Sequence, residues 1–117
     1  MKYEELSPIT REELERAMAN GSSEDAAVAL LRMALHESDW LWAEGKCLAA
    51  LHDERIAIQA AAVTGLGHVS RLHRKMTKEI VLPELEKLKD DPELGGVAED
   101  ALNDILIFAS AGLNECG

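Results

Sequence analysis

The stretch IAIQAAAVTGLGHV, residues 56–69, constrains this chain more than any other. At helical spacing Ile56, Ala60, Val63 and Gly67 fall on one side, and Ile58, Ala62 and Val69 on another. Little polar surface is left. A helix that is apolar on two faces needs neighbours on both, so it belongs inside a stack of helices. The rest of the chain agrees: of 117 residues 47% are hydrophobic, mostly Ala, Leu, Val and Ile, and only 3% are aromatic. Alanine at this density favours closely packed helices, because it loses no side-chain entropy. No alternating Val/Ile/Thr/Tyr segment stands out, so the expected class is all-α, with about six helices in a single domain spanning residues 1–117.

Helix punctuation places the elements. Thr10 and Glu13 form a T-x-x-E capping box, which predicts a helix from Arg11 to Ala19, stopped at Asn20-Gly21. Ser22 or Ser23 caps a second helix that runs to Leu35, with Glu24 and Asp25 in its first turn, where the macrodipole favours acids. A third covers Trp40 to Leu51 behind Ser38 or Asp39. The fourth begins at Asp53 or Glu54 and continues to Val69 or Ser70. After the basic connection SRLHRKMT, a fifth covers Lys78 to Lys89, with Pro83 a kink. Asp90-Asp91-Pro92 then turns the chain into a sixth helix from Pro92 to Phe108, proline being suited to a first helical position.

Two of these segments repeat. LHDERIAIQAAAVTGLGHV and LKDDPELGGVAEDALNDI align with one gap, pairing Leu51 with Leu88, Asp53 with Asp90, Ala62 with Ala98, Leu66 with Leu102 and Val69 with Ile105. The spacing is that of a two-helix repeat. The pattern, preceded in its second copy by a helix carrying Leu82-Pro83, resembles HEAT repeats. The resemblance covers Asp39 to Phe108, and it implies antiparallel helical hairpins stacked as a short HEAT-like α-solenoid. Residues 1–38 then supply capping helices, residues 39–108 two helix pairs, and residues 109–117 a tail. The first copy lacks the proline and the Asp-Pro turn, and Gly95-Gly96 departs from the pattern in the second.

The third helix raises two questions. Trp40 and Trp42 are two residues apart and point different ways on a helix, so one is core. The expected core residue is Trp40. Trp42 then packs on helix two or four, or serves as a recognition residue, aromatics being enriched at binding hot spots. Glu44 falls in the apolar arc between Trp40 and Leu48. A carboxylate there must reach the rim, pair with an arginine such as Arg55, or hold a proton or ligand, because an unpaired buried charge is costly.

Catalytic and metal-binding patterns are weak. His36, His52 and His68 recur every sixteen residues, in part through the matching corners ALHES and ALHDE. Successive helix ends of an antiparallel stack lie at opposite ends of the bundle, so His36 and His52 are not expected to share a metal; a His in a last turn complements the helix terminus. No H-x-x-x-H spacing, nucleophile elbow or Walker-type loop occurs, and GLGHVS follows no strand. Cys47 and Cys116 have no C-x-x-C spacing. No enzyme activity, cofactor or metal is expected.

The charge layout is the distinctive feature. A net charge of −10 argues against a nucleic-acid partner and fits a basic protein or simple solubility. Arg71, Arg74, Lys75 and Lys78 cluster after the fourth helix, whereas the following segment is strongly acidic. Glu84 and Glu86 on helix five, with Glu99, Asp100, Asn103 and Asp104 on helix six, make an acidic surface able to dock a basic partner. No stretch is apolar enough to span a membrane, and the charged start lacks a signal-like core, so a reducing cytoplasm is the expected location. Small acidic proteins that resemble this one, HEAT-like ones among them, include bacterial immunity proteins that neutralise toxins. The resemblance thus implies a non-enzymatic module that masks a basic partner such as a toxin domain. The alternative is a HEAT-like scaffold or accessory subunit of a larger assembly or homo-oligomer, with monomer and homodimer both open.

Overall fold

Side-chain caps set the first three helices where the punctuation puts them. The computed structural model describes residues 6–109, and over this range it is helical, with no strand. Helix α1 (Arg11–Asn20) opens on a complete capping box: the Thr10 hydroxyl accepts from the Glu13 amide, and the Glu13 carboxylate accepts from the Thr10 amide, both at 3.0 Å. Ser22 caps α2 (Ser23–His36) and Asp39 caps α3 (Trp40–Ala50), each accepting from the amide three residues on.

The later helices differ from expectation at their ends. Helix α4 spans Ile56–His73 and has Arg55 at its cap position, without a side-chain cap bond. Asp53 is therefore not its cap. Its carboxylate accepts instead from the Arg55 amide at 2.9 Å and from the Arg55 guanidinium, a local turn that competes with helix and delays the start of α4. The helix ends later than expected, at Arg74 in the left-handed region (φ 57°), whose amide bonds the Ser70 carbonyl. Helix α5 (Lys78–Glu86) stops short of Lys89. Asp91 accepts from the amides of Glu93 and Leu94 at 2.8 and 2.9 Å, and its carbonyl accepts from the Gly95 amide at 2.9 Å, so it caps a turn opened by Pro92 that leads into α6, whose regular helix begins at Gly95. It runs to Asp104 and continues in a π-helical turn, Ile105–Ala109.

Helix α4 is the hub of the packing. Helices α2 and α3 lie against it on one side, α6 and the π turn on another, while α1 packs on α2 and α5 on α6. From Ala61 to Ser70 every residue but Thr64 is buried, as the two-faced apolar pattern requires, although Ile56 in the overhanging first turn and Leu72 in the last are exposed. Two glycines set how close the neighbours come. A Cβ on Gly65 would lie 2.9 Å from the Cys47 sulfur and 3.2 Å from the Ala34 Cβ, and one on Gly67 would lie 3.1 Å from the Asp104 carboxylate and 3.6 Å from the Ala101 Cα. One glycine admits α2 and α3; the other admits α6.

This geometry separates two substitutions that helix propensity treats alike. Gly65→Ala meets the Cys47 sulfur, and overpacking of this kind costs about 1–3 kcal/mol against a propensity gain of about 1. At Gly45 an added methyl would meet nothing within 4 Å, and replacement by Ala should gain about 0.5–1 kcal/mol. Urea unfolding midpoints at constant m-value would shift in opposite directions; equal midpoints would contradict the packing.

Candidate protein-binding surface

Glu86, Glu99, Asp100 and Asp104 of the C-terminal helices line two grooves on either side of α6. Between α4 and α6 a groove of about 440 Å³ is lined by Gly67, His68, Arg71, Asp100, Asn103 and Asp104, among others. Between α5 and α6 a second, of about 290 Å³, is lined by Glu86, Lys89, Glu99, Asp100, Asn103 and Leu106, with Leu102 at its base. Asp100 and Asn103 stand on the ridge shared by both. Glu84 is set apart, its carboxylate 3.1 Å from Lys87 and 3.9 Å from the His52 ring, and Glu86 pairs with Lys89 at 3.5 Å.

Trp42 is not part of this surface. It is half-buried on α3, with the Arg11 guanidinium 4.2 Å and the Lys46 ammonium 5.5 Å from its ring centre. Those cations are held in turn, Arg11 by Glu37 at 3.1 Å and Lys46 by Glu15. The indole thus serves to tie α1 to α3. Trp40 is also only half-buried, and both tryptophans pack against the core, so the expected division into one core and one outward tryptophan is not sharp.

Glu44 is buried, and it neither reaches the rim nor meets Arg55. Its carboxylate accepts from the Thr77 amide at 2.6 Å, at the start of α5, where the helix dipole favours a negative charge. Arg55 is occupied by Asp53 and the Met18 carbonyl. One turn on from Glu44, Cys47 is fully buried, and burial together with the Glu44 charge pushes its thiol up to about 12. A thiol so placed is an inert core group rather than a nucleophile. Cys116 lies outside the described residues.

Each histidine has its own surroundings. His36 bonds the Leu6 carbonyl at 2.7 Å, His73 bonds the Glu37 carbonyl at 3.2 Å, His52 is exposed near Glu84, and His68 is buried in the wall of the α4–α6 groove. The two ALH-acid corners share a chemistry instead of a site. Glu37 and Asp53 each accept from the amide two residues on and from an arginine, and in both cases the arginine holds the carboxyl below its ordinary range. Sequence reasoning passed over Leu106, whose side chain is 53% exposed in the α5–α6 groove. The available signal was its place three residues after Asn103, on the polar stripe of α6.

Burial, and then the nearby Arg71 charge, lower the pKa of His68, with Asp104 opposing. The imidazole takes up a proton less readily when folded than when unfolded, so its contribution to stability is present above the ordinary pKa and is lost as the pH falls below it. At most one proton is involved, which limits the slope to about 1.4 kcal/mol per pH unit. His68→Gln should flatten the stability profile just below the ordinary histidine pKa, measured by urea unfolding across that range. An unchanged slope would mean that His68 is not the group responsible.

No protein-family model and no curated protein matches the chain. A solved structure does: the crystal structure of a CDI complex from Cupriavidus taiwanensis LMG 19424 contains a chain that is 30% identical, with a TM-score of 0.82, over 95% of this chain and 98% of that one. At that identity and coverage, the chain belongs to the same family as that component of the CDI complex.

Proposed function

We propose that the protein is an immunity-type binding protein, one that holds a toxin domain of a contact-dependent inhibition system in the cytoplasm and blocks it without catalysing any reaction. The observation that carries this reading is the full-length similarity to a component of a CDI complex. The charge supports it in detail: at −10 overall, with Glu84, Glu86, Glu99, Asp100 and Asp104 on the last two helices, the protein offers a basic domain a favourable field and a fast encounter. Masking needs no cofactor or metal, only a surface that stays occupied. The HEAT-like description belongs to the same proposal. It is supported by the way α3 packs on α4, α5 on α6, and α6 on α4, as two stacked helix pairs would.

The test is to sequence the genes neighbouring the one for this chain and to co-express the chain with the C-terminal domain of any large polypeptide they encode. Growth should be restored only when the two are made together, and the purified pair should form a complex. Its affinity should fall steeply between about 50 and about 500 mM salt, because exposed charges are screened over that range. Absence of both rescue and complex would overturn the reading.

A further inference from the structure

The outward stripe of α6 changes character partway along. Glu99, Asp100 and Asn103 are exposed, and the next positions at helical spacing are not polar: Leu106 is 53% and Ile107 63% exposed. Fraying does not explain it, because Ile105 and Ala109 in the same π turn are fully buried. The helix is seated, and two large aliphatic side chains still face outward. They add little to folding, and solubility would be better served by the acids that precede them. π-helical turns also gather at functional sites, since the widened turn re-aims side chains.

Leu106 stands in the α5–α6 groove with Glu86, Glu99 and Asp100 around it, and the cation among the lining residues, Lys89, is paired with Glu86 at 3.5 Å. That is an apolar centre inside a rim of net negative charge. We propose that the α5–α6 groove is the docking surface of this protein, with Leu106 as the anchor, and that its occupant is a protein domain presenting an apolar socket ringed by Lys and Arg. The inference rests on the immunity-type reading and adds to it where the contact is made and which residue dominates it. The two components have separate roles. Rim charges act at a distance and govern the rate of encounter, while a desolvated apolar anchor governs how long the complex lasts.

The experiment measures association and dissociation rates with the toxin domain used in the rescue assay. Leu106→Ala should speed dissociation about thirtyfold or more with little change in association. Asp100→Lys should slow association about tenfold at low salt and flatten the salt dependence. Both variants should keep the wild-type melting temperature, because the altered side chains are exposed. Leu41→Ala, an equally exposed leucine beside Trp42 on α3, is the control and should bind normally. Normal binding by L106A and D100K, or loss of binding by L41A alone, would overturn the docking surface while the immunity-type reading stood. A wild-type protein that forms no complex would overturn both. A dimer that dissolves on Leu106→Ala while toxin binding is unaffected would assign the groove to a second copy of this chain and overturn the proposal.

Discussion

Close approach of three helices to α4 is the constraint on which the rest of the structure depends. Gly65 takes α2 and α3 to within methyl-contact distance, and Gly67, two residues on and so on a different face, does the same for α6. Small residues give no depth of side-chain interdigitation, so the packing is backbone against backbone and tolerates little change in volume. The consequence for the surface is direct. With Ala98, Ala101, Leu102 and Ile105 buried, Glu99, Asp100 and Asn103 of α6 and Leu106 of the π turn are left facing outward. The position of the candidate docking surface is therefore set by a glycine on another helix.

Helix α5 is fixed by different means. It is short, contains Pro83 and has no side-chain cap from its own first turn. Glu44, a buried acid on α3, accepts from its Thr77 amide and supplies from a distance what the local sequence lacks. A buried carboxylate is tolerable there because its negative charge faces the positive end of a helix and an otherwise unsatisfied amide. One polar contact thus joins the middle of the chain to the helix that forms one wall of the α5–α6 groove, while the other wall, α6, packs on α4.

Which parts of this were legible in the sequence follows from how local each interaction is. Thr10 with Glu13, Ser22 with Asp25 and Asp39 with Trp42 are bonds across three residues, and a reader of the sequence finds them because nothing distant competes. The starts of α4 and α6 were misplaced because aspartate has two local uses: capping a helix, or closing a turn onto the amide two residues on. Asp53 takes the second, whereas Asp91 takes both, accepting from the amides two and three residues on. The alignment that paired Asp53 with Asp90 located the right corner but was one residue out in chemistry. The tryptophans and Glu44 were harder. Their surroundings come from Arg11, Lys46 and Thr77, and for Arg11 and Thr77 no spacing rule links the partners. The acidic stripe on α6 was readable from period alone, whereas its apolar continuation was absorbed into an expected amphipathic helix that ended at Phe108.

Charge and shape then divide the work of recognition. A net charge of −10 attracts any basic protein, and over the Debye length of about 8 Å at physiological salt that attraction is indifferent to which one it is. A masking protein that relied on it would be titrated by every basic surface in the cell. Discrimination needs contacts that act only at close range and penalise the wrong partner, such as an exposed leucine that stays unburied unless a socket meets it while the surrounding carboxylates find cations. Leu106 between Glu86, Glu99 and Asp100 is built in that way. The wider acidic surface, including Glu84 with its local Lys87 partner, contributes field without discrimination. On the proposed immunity-type reading, relatives with different partners should differ first at the apolar centre of the groove and keep the acids around it, since the acids are useful against every basic partner and the anchor only against one.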